Sequence, residues 1–135
     1  MQLFPVKIVS PAKLVFDANV EQVEVPGREG DFGVLAKHAP FFSMLRAGVI
    51  TAHMAGSGKK RFFVTSGYAE VSPESTVILS DHIEELEFID VNEARDAYEA
   101  AKAAYREAAD DAARNKLGRR VEAARALLDA VHGRK

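Results

Sequence analysis

The hydrophobic rhythm of the chain changes once, near residue 88. Before that point apolar residues come in short runs rich in Val, Ile and Phe, and Gly or Pro interrupts them repeatedly. These runs predict strands at Leu3–Val9, Leu14–Phe16, Val20–Val25, Gly33–Leu35, Ser43–Leu45, Val49–Met54, Arg61–Thr65, Tyr68–Val71 and Thr76–Leu79. Short strands separated by turn residues predict an antiparallel sandwich or barrel. Alternation fails at Phe62-Phe63-Val64 and Val77-Ile78-Leu79, where both faces are apolar. Strands buried on both sides, or covered by a partner, read that way. The turn Ala55-Gly56-Ser57-Gly58-Lys59-Lys60 suits a hairpin, because glycine reaches the positive φ that tight hairpin turns use.

After residue 88 there is no proline and alanine dominates. Asp90 followed by Glu93 has the spacing of a capping box, which predicts a helix start. Val91, Ala94, Tyr98, Ala101, Tyr105, Ala108 and Ala112 then recur at steps of three and four. Leu117, Val121, Ala124, Leu128 and Val131 form a second such series. Asp110-Asp111 offers a second cap, so two helices with a break around 109–112 are expected. The expected organisation is a β-sandwich domain over 1–88 and a helical hairpin over 89–135. Alanine seams bury little apolar surface, at about 0.8 kcal/mol per CH₂. The hairpin should therefore be held lightly.

With 135 residues the chain fits one domain, or a small domain with an appendage. A net charge of -2 speaks against a nucleic-acid binder. The absence of cysteine rules out disulfides and thiolate metal sites. No apolar run approaches the roughly 20 residues of a membrane span. The opening residues already read as a strand rather than a signal or transit peptide, so a cytosolic or peripheral protein is expected. Charge is nonetheless segregated. From Arg114 onward the cations are Arg114, Lys116, Arg119, Arg120, Arg125, Arg134 and Lys135, against only Glu122 and Asp129. Such a series is either a solvated helix face or an attraction to an acidic partner.

Several stretches imitate catalytic motifs without completing them. Gly56-Ser57-Gly58-Lys59-Lys60 resembles the end of a P-loop, but His53 and Lys60 stand where Gly and Ser/Thr are required. Asp31-Phe32-Gly33 spells a kinase triplet in a chain without the kinase catalytic loop. Histidines 38, 53, 82 and 132 show no ligand spacing, so no metal site and no catalytic residues are expected. His82 sits in an acidic stretch that reads as a polar connection between the two parts. The segment Val25–Pro40, VPGREGDFGVLAKHAP, is the least ordinary of all. Gly27, Gly30 and Gly33 fall at every third position between two prolines, which reads as a shaped loop around Phe32, Val34 and Leu35.

That segment, followed by Leu45, Gly48, Val49 and Ile50, resembles the signature of the epsilon subunit of F-type ATP synthases. Phe63-Val64-Thr65-Ser66-Gly67-Tyr68-Ala69-Glu70-Val71 is similar to that family's next conserved block. The resemblance extends in order through the β-rich part, the boundary near 88 and the helical tail. It implies an N-terminal β-sandwich of about ten strands followed by a C-terminal antiparallel two-helix hairpin. It also implies a non-catalytic rotor subunit of the central stalk, bound to the gamma subunit and to the ring of c subunits. Such a subunit links proton-driven ring rotation to ATP synthesis. Lack of a transit peptide points to a bacterial protein, held peripherally on the cytoplasmic face of the inner membrane through the complex alone.

Carried over by position, Glu29, Gly30, Asp31, Phe32 and Gly33 would face the c-ring, with His38 in the adjoining gamma- and ring-facing region. In many relatives the helices extend along gamma towards a beta subunit, or the alpha and beta head, and restrain ATP hydrolysis. The candidates for that contact to beta and gamma are Arg114, Lys116, Arg119, Arg120 and Arg125. Some relatives also bind ATP at the start of the first helix. Here Arg95 is kept, but Asn92 replaces an acid and Asp96 replaces an alanine, so weak or absent ATP binding and no cofactor are expected. The second reading is a stand-alone β-sandwich adaptor whose helical tail binds a partner protein; a small hydrolase comes third.

Overall fold

The computed structural model describes residues 2–56 and 58–134. Ser57 of the glycine-rich turn and Lys135 of the basic series lie outside them. The described chain divides into two compact units, one through Glu85 and one from Leu86 onward.

Among the described residues the first unit holds nine strands: β1 (Phe4–Val9), β2 (Leu14–Val25), β3 (Phe32–Val34), β4 (Phe41–Met44), β5 (Gly48–Met54), β6 (Lys59–Val64), β7 (Tyr68–Val71), β8 (Thr76–Leu79) and β9 (Ile83–Glu85). They pair in the order β4-β7-β8-β1-β2-β5-β6-β9, with β3 beside β2. Each ladder is antiparallel except that of β1 with β8, which is parallel. β2 is the hinge of the architecture. Its first half pairs with β1, its second half pairs with β5 and β3, and the register slips between Val20 and Gln22. A bulge of this kind bends a strand and lets it pass from one layer to the other.

Inward residues from both halves then meet. Val6 and Ile8 of β1, Val71 of β7 and Ile78 of β8 share one core with Ile50 of β5 and with Phe62 and Val64 of β6. The Phe16 and Phe62 rings pack with centroids 5.4 Å apart. The pleat puts successive side chains on opposite faces. Phe63, between two core residues, is nonetheless fully buried.

Four expectations needed revision. Leu14–Phe16 and Val20–Val25 are one strand, because Asp17 and Asn19 occupy exposed positions opposite Lys7 and Pro5 rather than a turn. The acidic stretch around His82 is more than a connection: it contains β9, which adds Ile83, Glu84 and Glu85 to the edge of β6. Lys60 stands 3.6 Å from Glu85 across that ladder. Leu35 does not join a local core; it is 51% exposed, whereas Val34 is buried. The strand at 43–45 begins earlier, at Phe41.

The second unit opens with a 3₁₀ turn, Leu86–Phe88, followed by α1 (Val91–Arg106) and α2 (Asp111–Gly133). The Asp90 side chain accepts from the amides of Asn92 at 2.7 Å and Glu93 at 3.2 Å. The Asp110 side chain accepts from the Ala113 amide at 2.8 Å. Both caps satisfy orphan donors of a first helical turn. The helices bury little: Ala94 and Ala101 in α1, and Val131 in α2.

Candidate partner-binding surface

The chain leaves β2 at Val25 and turns back on itself before β3. Arg28 donates its amide to the Met44 carbonyl at 2.8 Å, and Arg46 donates to the Pro26 carbonyl at 3.0 Å. Gly27 pairs with Leu45 as an isolated antiparallel bridge. The loop is thereby tied to the end of β4. The tip closes where the Gly30 amide donates to the Gly27 carbonyl at 3.1 Å. A Cβ on Gly27 would sit 2.5 Å from the Gly30 carbonyl oxygen and 3.0 Å from the Phe32 ring, so only glycine allows this approach. Gly30 itself has a φ of 140°. Gly33 lies within β3, opposite Glu24.

These backbone constraints present a defined set of side chains. Glu29, Gly30, Asp31 and Gly33 are exposed, and Phe32 is half-buried. Asp31 forms an ion pair with Arg46. Its carboxylate thus has a cationic partner within the chain itself. Phe32 packs edge-on against Phe41 at 5.0 Å, and the His38 ring lies 6.3 Å from Phe41. His38 Nδ1 stands 2.6 Å from the Ala39 carbonyl oxygen, so that nitrogen carries a hydrogen and donates. Lys37, one residue earlier, adopts a left-handed conformation with φ 63°.

The loop and β4 together enclose a cleft of about 590 Å³, lined among others by Arg28, Asp31, Phe32, Phe41, Phe42 and Met44. Phe41, Phe42 and Met44 are 44%, 58% and 44% exposed. Three large apolar side chains open to solvent along one edge strand, rimmed by Arg28, Glu29 and Asp31, have the composition of a protein-binding patch. The structure thus gathers Glu29 to Gly33 and His38 on one surface and adds Phe41, Phe42, Met44 and Arg46. The available signal for the added residues was Pro40-Phe41-Phe42, since adjacent phenylalanines occupy both faces of any strand.

The other predicted residues lie elsewhere. Arg114, Lys116, Arg119, Arg120 and Arg125 are all exposed on α2. At about 100° per residue they do not form one stripe. Arg114 and Arg125 fall on one flank of the Leu117–Val121–Leu128 face, and Lys116, Arg119 and Arg120 fall on the other flank and the back. Arg114 stands 3.7 Å from Asp111. Arg134 departs from the basic series: it donates to the carbonyls of Leu86 and Ile89. At the start of α1, Arg95 donates to Asn92 Oδ1 at 3.3 Å.

The imitations of catalytic motifs resolve into structure. Gly56 has a φ of 92° in the turn between β5 and β6, where the Met54 amide donates to the Gly58 carbonyl at 2.8 Å. A strand follows that turn, not the helix a P-loop needs. His53 pairs with Glu24 at 3.1 Å and His82 with Glu84 at 2.8 Å. Among the described residues no group of three or more His, Asp or Glu could hold a metal ion. No helix among them is long and apolar enough to cross a membrane.

Comparison with known proteins gives this surface a context. The family model described as ATP synthase, delta/epsilon chain, beta-sandwich domain matches residues 3–86. The ATP synthase epsilon chain of Rhodospirillum rubrum is 36% identical over 127 residues, covering 94% of this chain and 95% of that one. That of Paramagnetospirillum magneticum is 42% identical over 130 residues, covering 93% and 94%. Among solved structures, a chain of the Euglena gracilis mitochondrial ATP synthase has a TM-score of 0.85 at 23% identity, covering 96% of this chain and 82% of that one. A chain of the central stalk and c-ring of the Tetrahymena thermophila mitochondrial ATP synthase has a TM-score of 0.67 at 18% identity, covering 96% and 97%. Both share the fold.

Proposed function

The chain belongs to the delta/epsilon family of ATP synthase chains, and from that premise we propose that it is the non-catalytic rotor subunit linking the c-ring to gamma. The observation that carries this reading is the unbroken relationship to epsilon chains over 94% of the chain, β and helical parts included. In the complex the subunit sits peripherally at the cytoplasmic face of a bacterial inner membrane.

The surface around β4 supports the division of labour. A rotor subunit needs contacts that survive torque, and backbone shape with buried aromatic anchors supplies them better than mobile charges do. Phe41, Phe42 and Met44 offer the apolar anchor for gamma. Glu29 to Gly33 and His38 offer a polar rim for the loops of the c-ring. Asp31 can exchange Arg46 for a cation on the ring without leaving an uncompensated charge, because both groups are largely solvated.

The helical unit contacts the beta and alpha subunits and restrains ATP hydrolysis. Five exposed cations on α2 support this reading, since long-range attraction steers a basic helix towards an acidic surface. ATP binding by the chain itself is weak or absent, because Asn92 holds Arg95 where an acid would stand in nucleotide-binding relatives.

Affinity purification of the tagged full chain tests the role. The alpha, beta and gamma subunits should co-purify with it, and Phe42→Asp should reduce their recovery. A chain that purifies without them is an adaptor of another system. Deleting residues 90–135 should leave assembly intact and raise ATP hydrolysis by the complex; unchanged hydrolysis would remove the inhibitory role alone.

A further inference from the structure

The end of α2 returns to the beginning of its own unit. One guanidinium nitrogen of Arg134 donates to two main-chain carbonyls, those of Leu86 and Ile89, each at 2.7 Å. These contacts close loops of 48 and 45 residues, which span nearly the whole unit. The acceptors belong to residues that are 2% and 8% exposed, so water substitutes for the arginine poorly. Ile89 precedes the Asp90 cap, and the amide four residues on, that of Glu93, is taken by the Asp90 side chain. The helix ladder therefore offers the Ile89 carbonyl no partner of its own. The Leu86 carbonyl also accepts from the Ile89 amide, at a longer 3.3 Å.

The rest of the hairpin makes this contact matter. Its buried side chains in α1 and α2 are two alanines and one valine. At one end α1 and α2 are joined covalently through the turn at residues 107–110. At the other end nothing covalent joins them, and Arg134 ties the end of α2 to the residues that precede α1. We propose that Arg134 is a latch that decides whether the hairpin is closed, and that releasing its guanidinium from the Leu86 and Ile89 carbonyls lets α2 swing on the 107–110 turn with both helices intact. The latch is a property of the isolated chain and does not depend on the role assigned above.

The chain has no cysteine, so labels can be placed at will. Spin labels at Phe88→Cys and Asp129→Cys, two exposed positions in the full chain, report hairpin closure as a distance distribution. Arg134→Met keeps the aliphatic stem and removes every donor. Losing two charge-assisted bonds should raise the open population at least about tenfold, and helix content by circular dichroism should stay constant. Arg134→Lys, which retains a cationic donor, should recover part of the closed population. An unchanged distribution in Arg134→Met would overturn the latch. So would loss of helix content in its place, or a lysine chain as open as the methionine chain.

Discussion

The two units of this chain solve the same problem with different materials. The sandwich is filled by Ile8, Leu45, Ile50, Ile78 and several valines, all with almost no exposed surface, and its strands are tied by ladders between distant segments. The hairpin buries two alanines and a valine, and has two aspartate caps and one arginine at its end. A leucine-sized side chain contributes about 1.5–3 kcal/mol on burial, and an alanine much less. One unit is therefore a rigid platform, and the other is an element whose closed form rests on a few directional contacts. The role proposed above, a rotor subunit whose tail changes its reach, would draw on both kinds of stability.

The contrast can be broken most sharply at Gly67. It has a φ of 128°, and an added Cβ would lie 1.8 Å from the Leu79 carbonyl oxygen. Backbone cannot yield as a flexible side chain does, so Gly67→Ala should cost about 4 kcal/mol or more, or prevent folding. Urea denaturation followed by near-ultraviolet dichroism of the sandwich aromatics measures it. Ile50→Ala should come next, at about 2–5 kcal/mol by the same measurement. Asp90→Ala removes two cap bonds from α1 and should cost about 1 kcal/mol, confined to the helical unit. Amide exchange should accelerate in residues 91–106 and not in the strands.

Gly118→Ala runs the other way. The new methyl would meet the Tyr105 ring at 3.5 Å, an ordinary contact, while α2 loses a poor helix former. The hairpin should gain roughly 0.5–1 kcal/mol, seen as slower exchange in α2. A loss would mean that Tyr105 needs the glycine notch. Asp31→Ala should have the smallest effect on stability, within about 1 kcal/mol, because its pair with Arg46 is exposed. Its effect should appear instead in recovery of the complex.

Much of this architecture is written locally. The strands around Val6, Ile50 and Ile78, the hairpin turn at Gly56 and both aspartate caps follow from alternation, turn chemistry and capping, which act over a few residues. Elements that depend on distant partners did not show. Asp17 and Asn19 have poor strand propensity and look like a turn until β1 is seen opposite them. Ile83-Glu84-Glu85 is too short and too acidic to signal a strand, and becomes one because β6 has a free edge. At the candidate surface, the glycine loop was legible as a motif. The exposure of Phe41, Phe42 and Met44 beside it was not, because exposure of an apolar residue is decided by what the rest of the chain leaves uncovered.

What the sequence determined by itself is therefore the kind of chain this is: a β unit, a lightly built helical pair, a distinctive glycine loop and a family. These come from periodicity, from residues with restricted backbone geometry and from motif length. Tertiary structure alone decided that β2 bends from one layer to the other, that Asp31 meets Arg46, and that Arg134 closes the hairpin from its far end. Those contacts join positions 15 to 48 residues apart. No local preference encodes them, since side-chain donors and acceptors find each other only after the hydrophobic core and the backbone ladders have brought them within reach.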